Sequence, residues 1–258
     1  MIEVQQLRKS FKVTREQRKK MPPGSPNTIA TVDGVSFTCQ PGRVFTLLGP
    51  NGAGKTTTLR MIATMLQPDN GSIQVNGFDV AKQPQEVRRQ LGFLTGATGL
   101  YDRLTPAELL KFFADLYDLP AATFRQRRDE IFKRLNITEF ADRRIAKLST
   151  GMRQKVSIAR TLIHDPKVIV FDEPTAGLDV ISAKSIIQLI KEQREAGKTI
   201  IFSTHIMGEV SLLSDDLAII HKGKLKFSGT YSDFAAKMPD ASLVDAFIRI
   251  IEMEEPAS

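Results

Sequence analysis

One segment of the chain carries most of the information about its fold, and it reads Gly49-Pro50-Asn51-Gly52-Ala53-Gly54-Lys55-Thr56. It follows the phosphate-binding pattern G-x-x-x-x-G-K-[ST], in which glycines let backbone N–H groups turn toward phosphate oxygens. The apolar stretch Val44–Leu48 before it predicts a short buried strand. The apolar residues after it recur at helical spacing and predict a helix that continues to Leu66. A strand, a glycine-rich turn and a helix in this order predict a phosphate-binding loop.

The last residues of this loop have side chains suited to a nucleoside triphosphate. The Lys55 ammonium would neutralise the β- and γ-phosphates, and the Thr56 hydroxyl would coordinate Mg²⁺. A turn with a purely structural purpose would not need this lysine and threonine. The predicted nucleotide-binding residues are Gly49, Pro50, Asn51, Gly52, Ala53, Gly54, Lys55, Thr56 and Thr57.

Two carboxylates, Asp172 and Glu173, follow the apolar stretch Val168–Phe171 at the end of a predicted strand. This pattern places both acids at the carboxyl edge of a sheet, where α/β folds bind ligands. We expect Asp172 to assist Mg²⁺ and Glu173 to polarise or orient the attacking water. Acids at a strand end also fit an ordinary turn, but the phosphate-binding loop upstream favours the chemical interpretation.

A second polar helix N-terminus is predicted at Leu148–Met152. The hydroxyls of Ser149 and Thr150, with the backbone at Gly151, form a second phosphate-type site there. An ordinary helix cap also explains Ser149 by itself.

Strand-like and helical patterns alternate along the chain, which is typical of an α/β fold with a mostly parallel sheet. Strands are predicted at Ile2–Leu7 and Val35–Thr38, with a polar, mobile loop between them over Thr14–Thr28. From about 97 to 160 the pattern is almost wholly helical, and Thr105 begins one helix with a capping box. We therefore expect a helical subdomain inserted into the sheet domain.

The composition is that of a globular chain of 258 residues, 41% hydrophobic and 25% charged. The formal net charge of +7 is concentrated in two basic segments, Arg8–Lys20 and Arg125–Arg160. Such segments can contact nucleic acid or an anionic leaflet, but without interleaved aromatic residues they also fit a solvated face. No apolar run reaches the ~20 residues that cross a bilayer, so we expect the chain neither to span a membrane nor to be exported. A single cysteine, Cys39, suits a reducing cytoplasm.

The order of these motifs resembles the ATP-binding cassette (ABC) family over nearly the whole chain, from Phe11 to about Gly229. In this comparison Gly49–Thr56 is similar to the Walker A motif and Val168–Asp172 to the Walker B motif. Leu148–Met152, which reads LSTGM, is similar to the signature sequence LSGGQ.

The resemblance also implies roles for single residues. Glu173 is similar to the catalytic glutamate and His205 to the switch histidine, so these two form the expected catalytic pair. Phe11 would stack on adenine, and Asp179 belongs to a segment, Ala176–Asp179, that is similar to the D-loop.

Further positions are assigned by the same resemblance. Gly96 occupies the position where the family has the glutamine of the Q-loop. His164 and His221 lie outside these motifs and are predicted to be surface or satisfied polar residues. The expected metal-binding residues are Thr56 and Asp172. The signature residues that would contact ATP bound by another chain are Ser149, Thr150 and Gly151.

The resemblance implies a P-loop NTPase core with a mostly parallel sheet, an N-terminal antiparallel β subdomain and an inserted α-helical subdomain. Residues 1–258 would form a single ABC ATPase domain. Its expected parts are a nucleotide-binding core with the β subdomain at about 1–95 and 161–230, a helical signature subdomain at about 97–160, and a short C-terminal helical tail at about 231–258.

These features predict the ATP-hydrolysing subunit of a membrane transporter, with ATP and Mg²⁺ as cofactors. It would act as a cassette dimer, expected to be a homodimer, on separate membrane-spanning permease subunits. That would place it in the cytoplasm, peripheral on the inner face of the cell membrane. Residues 93–110, FLTGATGLYDRLTPAELL, and the short C-terminal region look most like bacterial exporters of the sodium-efflux type.

Two alternatives remain open at this point. One is a soluble ABC ATPase that acts on ribosomes or DNA, although the sequence has neither the second cassette nor the coiled-coil interruption typical of those proteins. The other is a regulatory cassette without hydrolysis, which Lys55, Asp172, Glu173 and His205 argue against. We therefore expect no nucleic-acid partner.

Overall fold

The structure is a computed structural model that describes residues 1–20, 22, 24–95, 99–237 and 242–252. Within these ranges the strands are β1 (Ile2–Lys12), β2 (Thr28–Cys39), β3 (Val44–Leu48), β4 (Asn70–Val75), β5 (Phe78–Asp79), β6 (Leu91–Leu94), β7 (Val168–Asp172), β8 (Thr199–Thr204), β9 (Asp216–His221) and β10 (Lys224–Thr230). The α-helices of the same ranges are α1 (Arg15–Lys20), α2 (Lys55–Ile62), α3 (Pro84–Gln90), α4 (Pro106–Leu116), α5 (Ala121–Leu135), α6 (Thr150–Leu162), α7 (Val180–Glu195), α8 (Met207–Leu213), α9 (Tyr231–Ala236) and α10 (Leu243–Glu252). None of these helices combines the length and the apolar character needed to span a membrane.

The central sheet has the strand order β10-β9-β3-β8-β7-β6. Neighbouring strands from β9 to β6 are parallel, whereas β10 pairs with β9 in antiparallel orientation at one edge. Every residue of β3, β7 and β8 is buried, as expected of parallel strands covered on both faces. Because these three strands are parallel, their carboxyl ends meet at one edge of the sheet. The mostly parallel sheet predicted from the sequence is confirmed.

A second, antiparallel sheet with the order β2-β1-β4-β5 forms the predicted N-terminal β structure. It packs on one face of the central sheet, where Phe37 of β2 stacks on Phe45 of β3 with ring centroids 4.9 Å apart. Along β7, Val170 belongs to this core, while its neighbour Phe171 belongs to the core on the opposite face. Because successive side chains of a strand point to opposite faces of the sheet, the central sheet lies between two apolar layers.

The opposite face of the central sheet is covered by α6, α7 and α8, which share one core with α4, α5 and the sheet residues Phe171 and Phe202. The predicted capping box at the start of α4 is present. The Thr105 hydroxyl accepts the Glu108 amide at 3.2 Å, and the Glu108 carboxylate accepts the Thr105 amide at 2.8 Å. Near the C-terminus, α9 and α10 pack with β9 in a separate apolar cluster.

The helix after the phosphate-binding loop is one turn shorter than predicted. It ends at Ile62 rather than continuing to Leu66. Thr64 adopts a left-handed conformation with φ 60°, and the Leu66 amide donates to the Arg60 carbonyl at 3.2 Å. After this turn Leu66 packs against the same apolar core as Leu59 and Ile62 of α2, although it lies outside the helix. The apolar spacing alone therefore did not mark the end of the helix.

The connection between β1 and β2 also differs from the prediction of an irregular loop over Thr14–Thr28. Residues Arg15–Lys20 form the short helix α1. The Arg18 guanidinium donates to the Ser25 carbonyl at 2.7 Å, which joins the two sides of the connection.

Candidate functional site

The phosphate-binding loop connects the carboxyl end of β3 to the first turn of α2. Gly52 and Gly54 have φ angles of 78° and 110°, which residues with a Cβ rarely adopt. A Cβ on Gly54 would lie 2.4 Å from the carbonyl oxygen of Thr31, and one on Gly49 would lie 2.3 Å from that of Ile220. The glycines therefore let the loop approach β2 and β9 closely, while the N–H groups of the first helical turn stay available for an anion.

The Lys55 side chain folds back over this loop and is only 5% exposed. Its Nζ donates to the carbonyl oxygens of Gly49 at 2.7 Å and Pro50 at 3.1 Å. It also lies 3.8 Å from Oε1 of Glu173. Burial lowers the pKa of Lys55, and the charges of Glu173 and Asp172 oppose that change. A cation is thus held between the phosphate-binding loop and the two carboxylates.

Asp172, at the end of β7, accepts hydrogen bonds from three hydroxyl groups. They come from Ser203 at 2.7 Å, Thr56 at 3.0 Å and Thr95 at 3.4 Å. Hydroxyl and carboxylate oxygens are ligands that Mg²⁺ prefers. Among the described residues no group of three or more His, Cys, Asp or Glu could hold a metal ion. Thr56 and Asp172, whose side-chain oxygens lie 3.0 Å apart, offer two oxygens of the type that Mg²⁺ prefers.

Glu173 follows directly and adopts an unusual backbone conformation, with φ 49°. Its amide donates to the Ser203 carbonyl at 3.2 Å and to the Ser203 hydroxyl at 3.1 Å. Its Oε1 lies 3.2 Å from Nδ1 of His205, just past the end of β8. The two bonds to Ser203 thus hold the backbone at the residue that presents this carboxylate.

The loop and Glu173 enclose a cleft of about 120 Å³. Its lining residues are Thr31, Asn51, Gly52, Ala53, Gly54, Lys55, Thr56, Thr57 and Glu173. Phe11 is 43% exposed and pairs with Ile29 on β2, two residues from Thr31, so its ring lies outside this lining. Ligand pockets usually measure ~300–1,000 Å³, so the cleft encloses only part of a nucleotide.

Comparison with known proteins identifies this arrangement. The family model described as ABC transporter matches residues 32–176, which is more than half of the chain. The chain belongs to the ABC transporter family. The matched range contains the phosphate-binding loop, the signature segment, Asp172 and Glu173. The resemblance inferred from the motif order is therefore confirmed.

Individual relatives agree with this result. ABC transporter ATP-binding protein NatA of Bacillus subtilis (strain 168) is 48% identical over 202 residues, 78% of this chain and 82% of NatA. Nod factor export ATP-binding protein I of Ralstonia nicotianae is 40% identical over 193 residues, 75% of this chain and 60% of that protein. A solved structure, the dimeric bacterial ABC transporter cassette MJ0796, has a TM-score of 0.77 and 26% identity, covering 89% of this chain and 98% of that one.

The signature residues of this ABC cassette lie away from the cleft. Ser149 caps α6, with its hydroxyl accepting the Met152 amide at 3.3 Å, and both Ser149 and Thr150 are exposed. A Cβ on Gly151 would contact Leu178 Cδ2 at 3.7 Å. The structure therefore places the signature beside the D-loop of its own chain and outside the cleft lining.

The D-loop leads into α7, and Asp179 caps that helix. Its carboxylate accepts the Ser182 amide at 2.9 Å and the Ser182 hydroxyl at 2.8 Å, which lowers the pKa of Asp179. The next two residues, Val180 and Ile181, are 84% and 80% exposed. An apolar pair is thus left uncovered at the start of α7.

Two sequence assignments outside these motifs have different outcomes. Gly96, at the family's glutamine position, lies outside the described residues. His164, predicted to be a surface or satisfied polar residue, is half-buried, and the prediction holds for one ring nitrogen only, because its Nε2 lies 3.3 Å from the Leu91 carbonyl oxygen. Its ring stacks on Tyr117 with centroids 3.8 Å apart, and its Nδ1 is buried without a hydrogen-bond partner in the described part of the chain. Burial lowers the pKa of His164 to about 4.

Three site residues were missed from the sequence. Thr31 lines the cleft, and Thr95 and Ser203 donate to Asp172. The available signal was a polar residue inside or at the end of an apolar strand, as in Thr199–Thr204. Such a position indicates a polar residue in the sheet, but it does not identify the residue that it contacts, because that contact depends on the order of the strands.

Proposed function

We propose that the chain is the ATP-binding and ATP-hydrolysing subunit of a membrane exporter. The observation that carries this proposal is the convergence of Lys55, Thr56, Asp172, Glu173 and His205 at one edge of the central sheet. Contacts join Lys55 to Glu173 and Glu173 to His205, and a hydrogen bond joins Thr56 to Asp172. The Ser203 hydroxyl links the two sets, because it bonds both Asp172 and the Glu173 amide. A phosphate-binding loop with its lysine, a hydroxyl and an aspartate suited to Mg²⁺, and a carboxylate that can orient water are recurring parts of sites for phosphoryl transfer.

Within the proposed site each side chain has one task. The Lys55 ammonium would bind the β- and γ-phosphates, because no other buried cation lines the cleft among the described residues. The Glu173 carboxylate would accept a proton from, or orient, the attacking water. His205 lies within hydrogen-bond distance of Glu173 and would hold that carboxylate in place.

Thr56 and Asp172 would hold Mg²⁺ beside the phosphates. The ion, when bound, would neutralise charge that develops on the phosphate oxygens. The protein's contribution is to fix the two oxygen ligands, and the Ser203 hydroxyl does this by orienting Asp172.

We further propose that two copies of the chain work together, with the signature Ser149, Thr150 and Gly151 of one copy closing the cleft of the other. Three observations support this. The cleft encloses only about 120 Å³, the signature lies outside its lining, and Val180 and Ile181 are uncovered next to the D-loop. A similar solved cassette is dimeric.

The coupling to transport rests on the family and on the names of relatives. We propose separate permease subunits, which would hold the chain at the inner face of the cell membrane. One relative is named for export, which supports an exporter. Sodium efflux is proposed from the likeness of residues 93–110 and of the short C-terminal region. The transporter names of the relatives favour this function over action on ribosomes or DNA.

We also propose a division of the chain into three parts. The core would comprise about 1–95 and 161–230, the helical signature subdomain about 97–160, and the tail about 231–258. The shared core of α4 to α6 with the central sheet supports the close attachment of the helical part.

Variants of the full chain test the proposed chemistry. Lys55→Ala should weaken ATP binding roughly 10- to 100-fold, because a charge-assisted hydrogen bond contributes about 1.5–3 kcal/mol. Glu173→Gln should bind ATP like the wild type but lose roughly 100-fold or more in kcat, the usual contribution of a general base. Nucleotide titration and phosphate release measure the two effects.

Glu195→Gln is the matched control, because Glu195 is an exposed glutamate on α7. It should leave ATP binding and hydrolysis unchanged. Unchanged ATP affinity in Lys55→Ala would contradict the assignment of the loop, and unchanged kcat in Glu173→Gln would contradict the assignment of the catalytic carboxylate.

A further inference from the structure

Glu209 on α8 is a buried carboxylate to which neither the family motifs nor the mechanism above gives a task. It is 6% exposed, and within the described residues it forms no ion pair. Its Oε2 accepts the Thr204 hydroxyl at 2.5 Å, and its Oε1 accepts the Thr175 hydroxyl. Both hydroxyl-bearing residues are buried as well. The cost of burying this charge is therefore offset by hydrogen bonds from two other segments.

Those two segments are the ones that carry the catalytic pair. Thr175 lies two residues after Glu173, and Thr204 lies directly before His205. Thr204 also accepts the Ile206 amide at 3.0 Å, so it fixes the backbone on the far side of His205. Glu209 thus contacts the chain two residues after Glu173 and one residue before His205.

We propose that Glu209 is a positioning residue that sets the distance between the Glu173 carboxylate and the His205 imidazole. An ionised carboxylate only accepts hydrogen bonds, so its two oxygens can hold one hydroxyl from each segment at the same time. Ser203 holds the Glu173 backbone from the other side. The 3.2 Å contact between Glu173 and His205 is then determined by buried bonds and not by the half-exposed His205 ring itself.

This inference rests on the proposed function, because it assigns Glu209 to the same reaction. Glu209 touches neither the cleft lining nor the reacting groups, so it acts through the two threonines. A displacement of about 1 Å at the catalytic groups can cost on the order of 100-fold in rate. Loss of the Glu209 contacts should therefore appear in kcat and not in ATP binding.

The first experiment measures ATP affinity and kcat in full-chain variants. Glu209→Gln keeps the side-chain shape but replaces one acceptor oxygen by a donor, and Thr204→Val removes the hydroxyl while keeping the shape. Both should lower kcat roughly 10- to 100-fold at wild-type ATP affinity. Thr204→Ser retains the hydroxyl and should retain most of kcat. Glu195→Gln serves again as the control for loss of an exposed glutamate.

Three results would overturn the proposal. The first is a kcat for Glu209→Gln equal to that of Glu195→Gln. The second is an equal loss of kcat in Thr204→Ser and Thr204→Val. The third is a loss of ATP affinity in Glu209→Gln or Thr204→Val as large as the loss of kcat. If Glu209→Gln does not fold, Thr175→Val provides the same test from the other segment, with Thr175→Ser as its hydroxyl-retaining partner.

A second experiment does not depend on hydrolysis. The chain has three histidines, so selective labelling of histidine gives at most three sets of imidazole signals in NMR spectra. In Glu209→Gln the His205 signal should shift while those of His164 and His221 stay in place. An unshifted His205 signal would overturn the positioning role even in an active enzyme. Failure of the wild type to hydrolyse ATP would instead contradict the proposed function, whatever the His205 signal does.

Discussion

The two carboxylate oxygens of Asp172 accept hydrogen bonds from three hydroxyl groups. Because an ionised carboxylate donates no hydrogen bond, the hydroxyls of Thr56, Thr95 and Ser203 must all donate toward it. A hydroxyl that donates its proton in one direction leaves its lone pairs free in others. The hydrogen bond to Asp172 thereby orients the hydroxyl of Thr56, the other expected metal-binding residue.

His164 provides a prediction for the effect of pH on stability. The pKa of His164 is about 4 in the folded chain, against an ordinary value of 6.5. Below pH 6.5 the unfolded chain therefore binds a proton that the folded chain does not bind, so stability falls as the pH drops toward 4. At pH 5 the expected loss from this residue is about 2 kcal/mol, at about 1.4 kcal/mol per pKa unit.

His164→Phe retains a ring that can stack on Tyr117 but cannot bind a proton. Urea unfolding at pH 7.5 and at pH 5 should show a smaller loss of stability in His164→Phe than in the wild type. Carboxylates that titrate in the same range affect both chains, so the difference between the two chains isolates His164. Identical pH dependence in both would contradict the buried, neutral imidazole.

Single residues of the site differ in how far the sequence reveals them. Lys55 and Thr56 belong to a contiguous motif, and Asp172 and Glu173 end a strand whose apolar residues are adjacent in sequence. Local spacing is sufficient for such residues. Ser203 acts across neighbouring strands, and its role follows only once β7 and β8 are known to be adjacent. Burial of His164 likewise depends on Tyr117, 47 positions earlier in the sequence.

At the scale of secondary-structure elements, the packing of the phosphate-binding loop against β2 gives a second prediction. Gly52 and Gly54 both have positive φ, but only Gly54 is close to another element. Gly52→Ala should cost about 1–2 kcal/mol from backbone strain alone. Gly54→Ala should cost at least about 1–3 kcal/mol more, because its Cβ would overlap the Thr31 carbonyl.

The free energy of unfolding of the two variants, measured in urea, tests this expectation, and each glycine serves as the control for the other. Equal costs would mean that β2 moves away from the loop easily. Such a result would contradict the close approach of the antiparallel sheet to the nucleotide site.

Helices and strands whose sequence patterns lie within a few residues were predicted well, whereas features that depend on contacts between distant residues were not. The capping box at Thr105 and the apolar strands β3, β7 and β8 follow from residue types a few positions apart. The end of α2 does not, because Leu66 reaches the same core after a left-handed turn at Thr64. Apolar spacing marks the buried face but not the point where the backbone leaves the helix.

At the scale of the whole molecule, the two sheets and the helical layer leave the nucleotide site open on one side. The antiparallel sheet contributes Thr31, and the charged groups lie at the carboxyl edge of the central sheet and in the first turn of α2. The helical layer directs its signature serine elsewhere, because Gln154 of α6 donates to the Pro174 carbonyl at 2.8 Å and fixes that helix beside its own D-loop. A second copy could therefore complete the site without any rearrangement of the first copy's core.

This arrangement predicts complementation between two inactive variants. Lys55→Ala removes the phosphate-binding cation, and Ser149→Arg blocks the exposed signature serine. Each variant alone should hydrolyse ATP poorly, because every site in its dimer lacks one component. A mixed dimer contains one site with the intact loop of the Ser149→Arg chain and the intact signature of the Lys55→Ala chain. With random pairing, about a quarter of the wild-type sites should be restored in an equimolar mixture, because a two-fold interface pairs each site with its partner.

Phosphate release from the mixture, compared with the mean of the separate variants, measures this gain. The control is a mixture of Lys55→Ala with a chain that carries both substitutions, in which no dimer contains an intact site. Activity should rise in the first mixture and not in the second. If each chain instead used its own signature, the Ser149→Arg chain would have no intact site in any dimer, and mixing would restore nothing. An equimolar mixture no more active than that mean would therefore contradict a site shared between two copies.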